Sequence, residues 1–278
     1  MTSDKTFTLS DAQAGQFQQD GYLLVPSLFC EEEMAHLIDA ATIDSTLEDH
    51  ALEREDDSGR VSKLTVWNHP GDDVFGRIAR SERVVNTMER MLGDEVYHWH
   101  SKMMLKEPEV GGAWVWHQDY GYWYEYGCLY PDLASCMIAV NRASEANGCL
   151  QVLKGSHHIG RIRPERVGHQ IGTDIERVEE AKKHHELVYC EMEPGDGLFF
   201  HSNLLHCSAA NTSQDPRWVF ICCYNTKHNS PFKEDSRHPV YTPLEKVADG
   251  EVLTAGATLD AGRTYSSFKP SNDKTKLA

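Results

Sequence analysis

A chain of 278 residues with 40% apolar content is long enough to bury a sizeable core, and it suits one large domain with decorations. Its 27 Lys+Arg against 43 Asp+Glu leave a formal net charge of −16, and no basic stripe interrupts the acidic excess, which argues against nucleic acid as a partner. No apolar run approaches the length of a bilayer span, so no membrane partner is expected.

The start, "MTSDKTFTLSDAQ", has neither a charged n-region nor an apolar h-region, so no secretory signal is expected. Residues 10–20 predict a short helix capped by Ser10. "GYLLVPSLF" (21–29) predicts a strand closed by a Pro turn. "CEEEMAHLIDAATI" (30–43) predicts a helix whose Glu31, Glu32 and Glu33 suit the positive end of its dipole. The charged stretch 47–63 is expected as a loop. "SERVVNTMERMLG" (81–93) predicts an amphipathic helix stopped by Gly93.

After Gly93 the character changes. Seven short apolar or alternating runs (95–106, 113–123, 134–142, 148–155, 185–192, 197–206 and 217–225) are separated by Gly, Pro and Asn turns. They predict a sandwich or barrel of jelly-roll type. Stretches 126–133 and 160–185 interrupt them, the latter as a polar loop with some helix. The tail from about residue 265 is expected to be loose. The eight cysteines, Cys30, Cys128, Cys136, Cys149, Cys190, Cys207, Cys222 and Cys223, contain no Cys-x-x-Cys pair. Reduced thiols in a cytoplasmic protein are the expectation.

The chemistry concentrates in "WVWHQDYGYWY" (114–124). Strand side chains alternate between faces, so His117 and Asp119 can aim at one point. A neutral imidazole and a carboxylate supply two-thirds of the 2-His-1-carboxylate triad that holds Fe(II) and leaves positions open. Alone, His-x-Asp is a weak signal. A third ligand can come from His201 or His206. Downstream, in "RWVFICC", the alternation puts Arg217 on a mostly apolar face, which is costly without a partner. A dicarboxylate ligand or a nearby acidic side chain would each supply one.

With His206 eleven residues before Arg217, the set His117-Gln118-Asp119, His206, Arg217 resembles the phytanoyl-CoA dioxygenase family of Fe(II)/2-oxoglutarate oxygenases. "FQQDGYLLVPSLF" (17–29) is similar to the family's opening. "NGCLQVLKGSHHIG" (147–160) resembles its NGCL and PGSH blocks, with Lys154 where Pro is usual. "HCSAANTS" (206–213) resembles its distal-His turn. The resemblance covers roughly residues 12–225.

It implies a mainly β fold with flanking helices around a double-stranded β-helix (jelly-roll, cupin-like) core. One domain would comprise an N-terminal helical layer with the first strand (1–93), the core (94–227) and a C-terminal extension (228–278). It implies Fe(II) held by His117, Asp119 and His206, with 2-oxoglutarate and O2 as co-substrates. Arg217 and Ser208 would bind the distal carboxylate of 2-oxoglutarate. A C–H bond of a small-molecule metabolite or natural-product intermediate would be hydroxylated, with release of succinate and CO2. Because Asp119 is present, a halogenase, in which chloride replaces the carboxylate, is disfavoured. Tyr122, Trp123 and Lys102 are candidates for the substrate wall. The competing readings are a cupin-like metal-binding module without oxygenase activity and a metal-dependent hydrolase or isomerase. The metal-binding module would not need Arg217 or a dicarboxylate.

Overall fold

The computed structural model describes residues 7–43, 45–233 and 238–258; the predicted loose tail lies outside them. Helix α1 (Asp11–Asp20) is closed by a reciprocal Ser10–Gln13 capping box and stops at Gly21, whose φ of 78° suits glycine. Strand β1 (Tyr22–Val25) and helix α2 (Glu31–Thr42) follow as predicted. The stretch 47–63 is not a loop. After the short helix α3 (Thr46–Asp49), β2 (Leu52–Glu55) and β3 (Val61–Trp67) pair as a hairpin. Its charge hid it: β2 is an edge strand whose Glu53 and Glu55 stay in water, and edge strands carry such charges to avoid pairing with other chains. Helix α4 (Val74–Arg80), also absent from the sequence reading, precedes α5 (Glu82–Leu92), which ends at Gly93 as predicted.

The next elements are β4 (Val96–Lys106), β5 (Trp114–His117), α6 (Asp119–Glu125), β6 (Leu133–Ala139) and β7 (Leu150–Leu153). Then come β8 (Pro164–Val167), β9 (Gln170–Thr173), α7 (Ile175–His184) and β10 (Leu187–Cys190). Strands β11 (Gly197–His201), β12 (His206–Ser208) and β13 (Arg217–Thr226) complete the fold. Three expectations change. The aromatic run 113–123 is not one strand, because the chain leaves the sheet at Gln118 and turns into α6. Residues 197–206 break after His201, where Ser202 Oγ donates to Pro131 O and the Asn203 amide donates to His201 Nδ1. Stretch 160–185 contains the expected helix, α7, but its loop part forms a β8–β9 hairpin.

Strands β4 to β7 and β10 to β13 divide four and four between two sheets in the pattern of a double-stranded β-helix. The seven-stranded sheet has the order β1-β11-β6-β13-β4-β3-β2, and the four-stranded sheet β10-β7-β12-β5. Every strand pairing within these two sheets is antiparallel. The larger sheet is apolar on both faces. Along β13, Val219, Ile221 and Cys223 point between the sheets with Met137, Val152 and Phe200. Phe220, Cys222 and Tyr224 point outward, onto Phe75 and Ile78 of α4 and Val85 and Met88 of α5. This period-two division of one strand between two cores explains why 217–225 reads as a continuous apolar run.

Phe220 anchors the helical layer. Its ring stacks on Trp67 (centroids 5.9 Å apart) and meets Phe75 edge-on at 5.2 Å, and none of it reaches solvent. Phe220→Ala should destabilise the protein by about 3–5 kcal/mol, read from urea unfolding. A loss under about 1 kcal/mol would mean that the helices do not depend on this contact.

Candidate metal centre

The site begins with a register. In the β5–β12 ladder His117 lies opposite His206, which brings the two imidazole centroids to 4.1 Å. Each ring is set by its own strand: His117 Nδ1 donates to Val115 O (2.8 Å) and His206 Nδ1 to Leu204 O (2.9 Å). With the proton on Nδ1, both Nε2 lone pairs remain free to ligate. Burial holds both rings below the ordinary imidazole pKa, His117 at about 3. For His117 the neighbouring His206 adds to the effect. Neutral rings are the ligand form.

Asp119 enters at the first residue of α6, with His117 Nε2 3.8 Å from its Oδ1. Gln118 fixes that turn. It is buried, donates through Nε2 to Gly160 O (2.8 Å) and Asn203 O (2.7 Å), and accepts from the Ile162 amide (2.8 Å). Asp119 Oδ2 is buried with no hydrogen-bond partner. Its carboxyl is nevertheless held below the ordinary value, because Lys102 and the two imidazoles outweigh its desolvation. One ligand atom from each of His117, Asp119 and His206 lies within 4.8 Å of the others, the one such three-residue cluster among the described residues. An orphaned buried carboxylate oxygen facing two free imidazole nitrogens fits a divalent metal. His201, the rival ligand, is outside this cluster; its ring packs near Phe17 and His157.

Further along β12, Ser208 lies two residues, about 7 Å, from His206. Its Oγ accepts from Lys106 Nζ at 2.8 Å, and the same ammonium donates to Ala209 O. Lys106 is directly opposite Arg217 in the β4–β13 ladder, and both are buried. Arg217 donates to Gly148 O (2.8 Å), while its Nε is buried and unpartnered. Neither cation forms an ion pair among the described residues. Burial pushes the Lys106 pKa far down, with Arg217 adding to it, and Arg217 falls to about 10. A desolvated guanidinium beside an amine that an incoming anion would help to protonate forms a receptor for an anion. Sequence reading missed Lys106. The signal was available, since Lys102, Met104 and Lys106 share one strand face by alternation.

The remaining candidates divide. Trp123 is buried, one helical turn after Asp119, whereas Tyr122 packs edge-on to His117 (6.1 Å) and its hydroxyl donates to Ile171 O. Lys102 is partly buried and faces Asp119, rather than lying exposed. Two open surface clefts, near Tyr189 and near Pro194, include none of the metal-cluster residues.

The glycine and serine blocks support these groups. Gly148 has φ +79°, and a Cβ there would lie 2.2 Å from Ala209 O, so glycine lets its carbonyl reach Arg217. Ser156 Oγ accepts from the Leu205 amide (2.9 Å), which places His206. Asn211 Nδ2 donates to Lys106 O (3.2 Å) and Asp215 O (2.8 Å), tying the turn after β12 to β4 and β13.

The sequence profile of the family described as phytanoyl-CoA dioxygenase (PhyH) matches residues 17–219. The chain belongs to this family. L-proline trans-4-hydroxylase of Streptomyces griseoviridis is 29% identical over 252 residues, covering 85% of this chain and 91% of that protein. The ectoine dioxygenase of Sphingopyxis alaskensis is 26% identical over 253 residues, covering 83% and 81%. The crystal structure of EctD from S. alaskensis with 2-oxoglutarate and 5-hydroxyectoine superposes with a TM-score of 0.72 at 26% identity, covering 89% of this chain and 90% of that one. The carbocyclase SnoK of nogalamycin biosynthesis shares the fold, with a TM-score of 0.66 at 20% identity over 86% and 94% of the two chains.

Three buried imidazoles, His117, His201 and His238, are held at about 3 in the folded protein, and burial lowers His206 and His100 as well. The unfolded chain takes up these protons first, near pH 6.5. Metal-free protein should therefore be most stable above about pH 6.5 and lose up to about 1.4 kcal/mol per pH unit per ring as the pH falls toward 3. Urea midpoints between pH 7 and 4.5 check this; a flat profile would contradict it.

Proposed function

We propose that this chain hydroxylates a C–H bond of a small free amino acid or amino-acid-derived solute. It is an Fe(II)- and 2-oxoglutarate-dependent dioxygenase of the phytanoyl-CoA dioxygenase family. The observation that carries the co-substrate assignment is the buried Lys106–Arg217 pair, which has no protein anion and begins about 7 Å along β12 from His206.

In this reading His117, Asp119 and His206 hold the iron. When bound, Fe(II) supplies O2 activation coupled to oxidative decarboxylation of 2-oxoglutarate, so that substrate C–H, 2-oxoglutarate and O2 become substrate C–OH, succinate and CO2. The protein's own part is positioning. Arg217 and Lys106 grip the distal carboxylate of 2-oxoglutarate, and Ser208 orients the Lys106 ammonium. The apolar side chains between the sheets keep water away from that charge-assisted contact, which strengthens it. Trp123 and Tyr122, both on α6 beside Asp119, wall the substrate side, and Lys102 offers a cation to a substrate carboxylate.

The substrate class rests on two supports. The two relatives above are named for L-proline and ectoine, both small molecules. The net charge of −16 disfavours a polyanionic thioester. We also place the chain in the cytoplasm, on the ground that none of its eight cysteines is in a disulfide and seven of them are buried.

Anaerobic addition of Fe(II) and 2-oxoglutarate should give a visible metal-to-ligand charge-transfer band, and its absence from folded, metal-loaded protein would overturn the assignment. Arg217→Ala and Lys106→Met should each raise the 2-oxoglutarate Kd at least tenfold while leaving iron affinity within about threefold. His206→Ala should abolish iron-dependent succinate release; near-normal release would move the ligand role elsewhere. A succinate-release panel of free amino acids, ectoine and acyl-CoA thioesters tests the substrate class, which a thioester-only response would refute.

A further inference from the structure

Strand β4 carries a bulge. Cys223 of β13 is opposite His100 and Tyr224 is opposite His98, which leaves Trp99 as the extra residue. In a regular strand Trp99 and His100 would face opposite sides. Here both face inward. Trp99 meets Trp123 at 6.4 Å and His100 meets the same ring at 5.8 Å. His98 turns the other way, toward Tyr224 of the outer core.

The fifth ring comes from beyond the family match. His238, in the C-terminal segment, is buried and stacks on Trp99 with centroids 4.4 Å apart and planes 14° apart. It lies 5.5 Å from His100 and 4.6 Å from Tyr126. Neighbouring contacts hold the segment: Tyr241 packs edge-on to Tyr97 at 5.8 Å, and Lys233 Nζ donates to Glu125 O at 2.6 Å. The resulting box adjoins the metal cluster. Trp123 is one turn from Asp119 on α6, and Cys223, the partner of His100, is 3.2 Å from Ser135 Oγ, a hydroxyl near enough to Asp119 to lower its pKa.

Two polar atoms in this box have no partner. His100 is 5% exposed with Nδ1 buried and unsatisfied, and Trp99 Nε1–H, a donor that calls for an acceptor and not for a cation, is likewise buried and unsatisfied. Such atoms are uncommon in folded proteins and mark places where something else supplies the bond. Burial, with Lys102 adding to it, keeps the His100 ring uncharged, so it has one acceptor nitrogen. His100 meets Trp123 and His238 directly, Trp99 stacks on His238 and Tyr126 packs against it, so the acceptor lies among electron-rich rings of the kind that attract a cation.

We propose that Trp99, His100, Trp123, Tyr126 and His238 form the subsite that recognises the ammonium group of the substrate, with His100 as its hydrogen-bond acceptor. This rests on the amino-acid reading above and extends it. Lys102, two residues along the same strand, takes the carboxylate end, so the substrate's charges are read in opposite order by one strand. His238 makes the C-terminal segment part of the specificity machinery.

The test uses iron-loaded enzyme with 2-oxoglutarate and follows succinate release. The panel amino acid giving most succinate, L-proline in the first instance, is compared with its isostere lacking the ammonium, tetrahydrofuran-2-carboxylate for proline. Wild type should prefer the amine at least tenfold in kcat/KM. His100→Phe and His238→Phe should each raise its KM at least tenfold, with kcat, the 2-oxoglutarate KM and the charge-transfer band changed less than about threefold. His100→Phe should also erase the preference over the isostere, and His100→Gln, which keeps an acceptor, should restore most of it. The retained band shows that a variant is folded. Unchanged KM in both Phe variants, or equal use of amine and isostere by wild type, overturns the subsite and leaves the substrate class standing. A normal band with no response to any panel amino acid or to ectoine overturns the substrate class and the subsite together.

Discussion

The pairing of His117 with His206 across β5 and β12 is the constraint on which the rest of the site depends. The side-chain period of a strand is two, so a slip of one residue would turn either ring to the opposite face. The structure guards this register at both ends. Gln118 clamps the exit of β5 through three hydrogen bonds, and Ser156 holds the Leu205 amide just before β12. The same β12 carries Ser208, and through it Lys106, so one short strand sets both the metal ligand and the distance to the paired cations.

The second cost the fold carries is electrostatic. Lys106 and Arg217 are desolvated side by side, an arrangement that a protein optimised for stability alone would avoid. Gly148 O, Ser208 Oγ and Ala209 O offset part of it through hydrogen bonds, without supplying a negative charge. In the proposed function a bound dicarboxylate would supply the missing negative charge, so the desolvation cost of the pair would be offset by affinity. The metal cluster follows the same logic, since the orphaned Asp119 oxygen and the two free imidazole nitrogens are satisfied together by one cation. The bulge in β4 adds a third instance, turning two adjacent rings to the same face and leaving two polar atoms unmet.

What was legible in the sequence was whatever local physics repeats. The caps at Ser10, Gly21 and Gly93, the strand alternation of 217–225, and the His-x-Asp spacing are all short-range patterns. The β2–β3 hairpin was hidden because an edge strand spends its outward face on charge, which makes it read as a loop. The helix α6 was hidden because its aromatic residues suit a strand equally well, and what bends the chain there is Gln118 bonding to Gly160 and Asn203, 42 and 85 residues away. Lys106 looked like any surface lysine, since its burial depends on strands β12 and β13, which lie far along the chain.

By itself the sequence determined the ligand types, their order and the strand faces, because residue identity and period-two alternation are local properties. It narrowed the distal ligand to His201 or His206, and resemblance favoured the second. Tertiary structure decided what convergence requires: that His206 and not His201 sits opposite His117, that Arg217 has Lys106 as its neighbour, and that His238 reaches Trp99 and His100 from the far end of the described chain. Those are matters of register and bulge between distant strands, and no pattern along one strand encodes them.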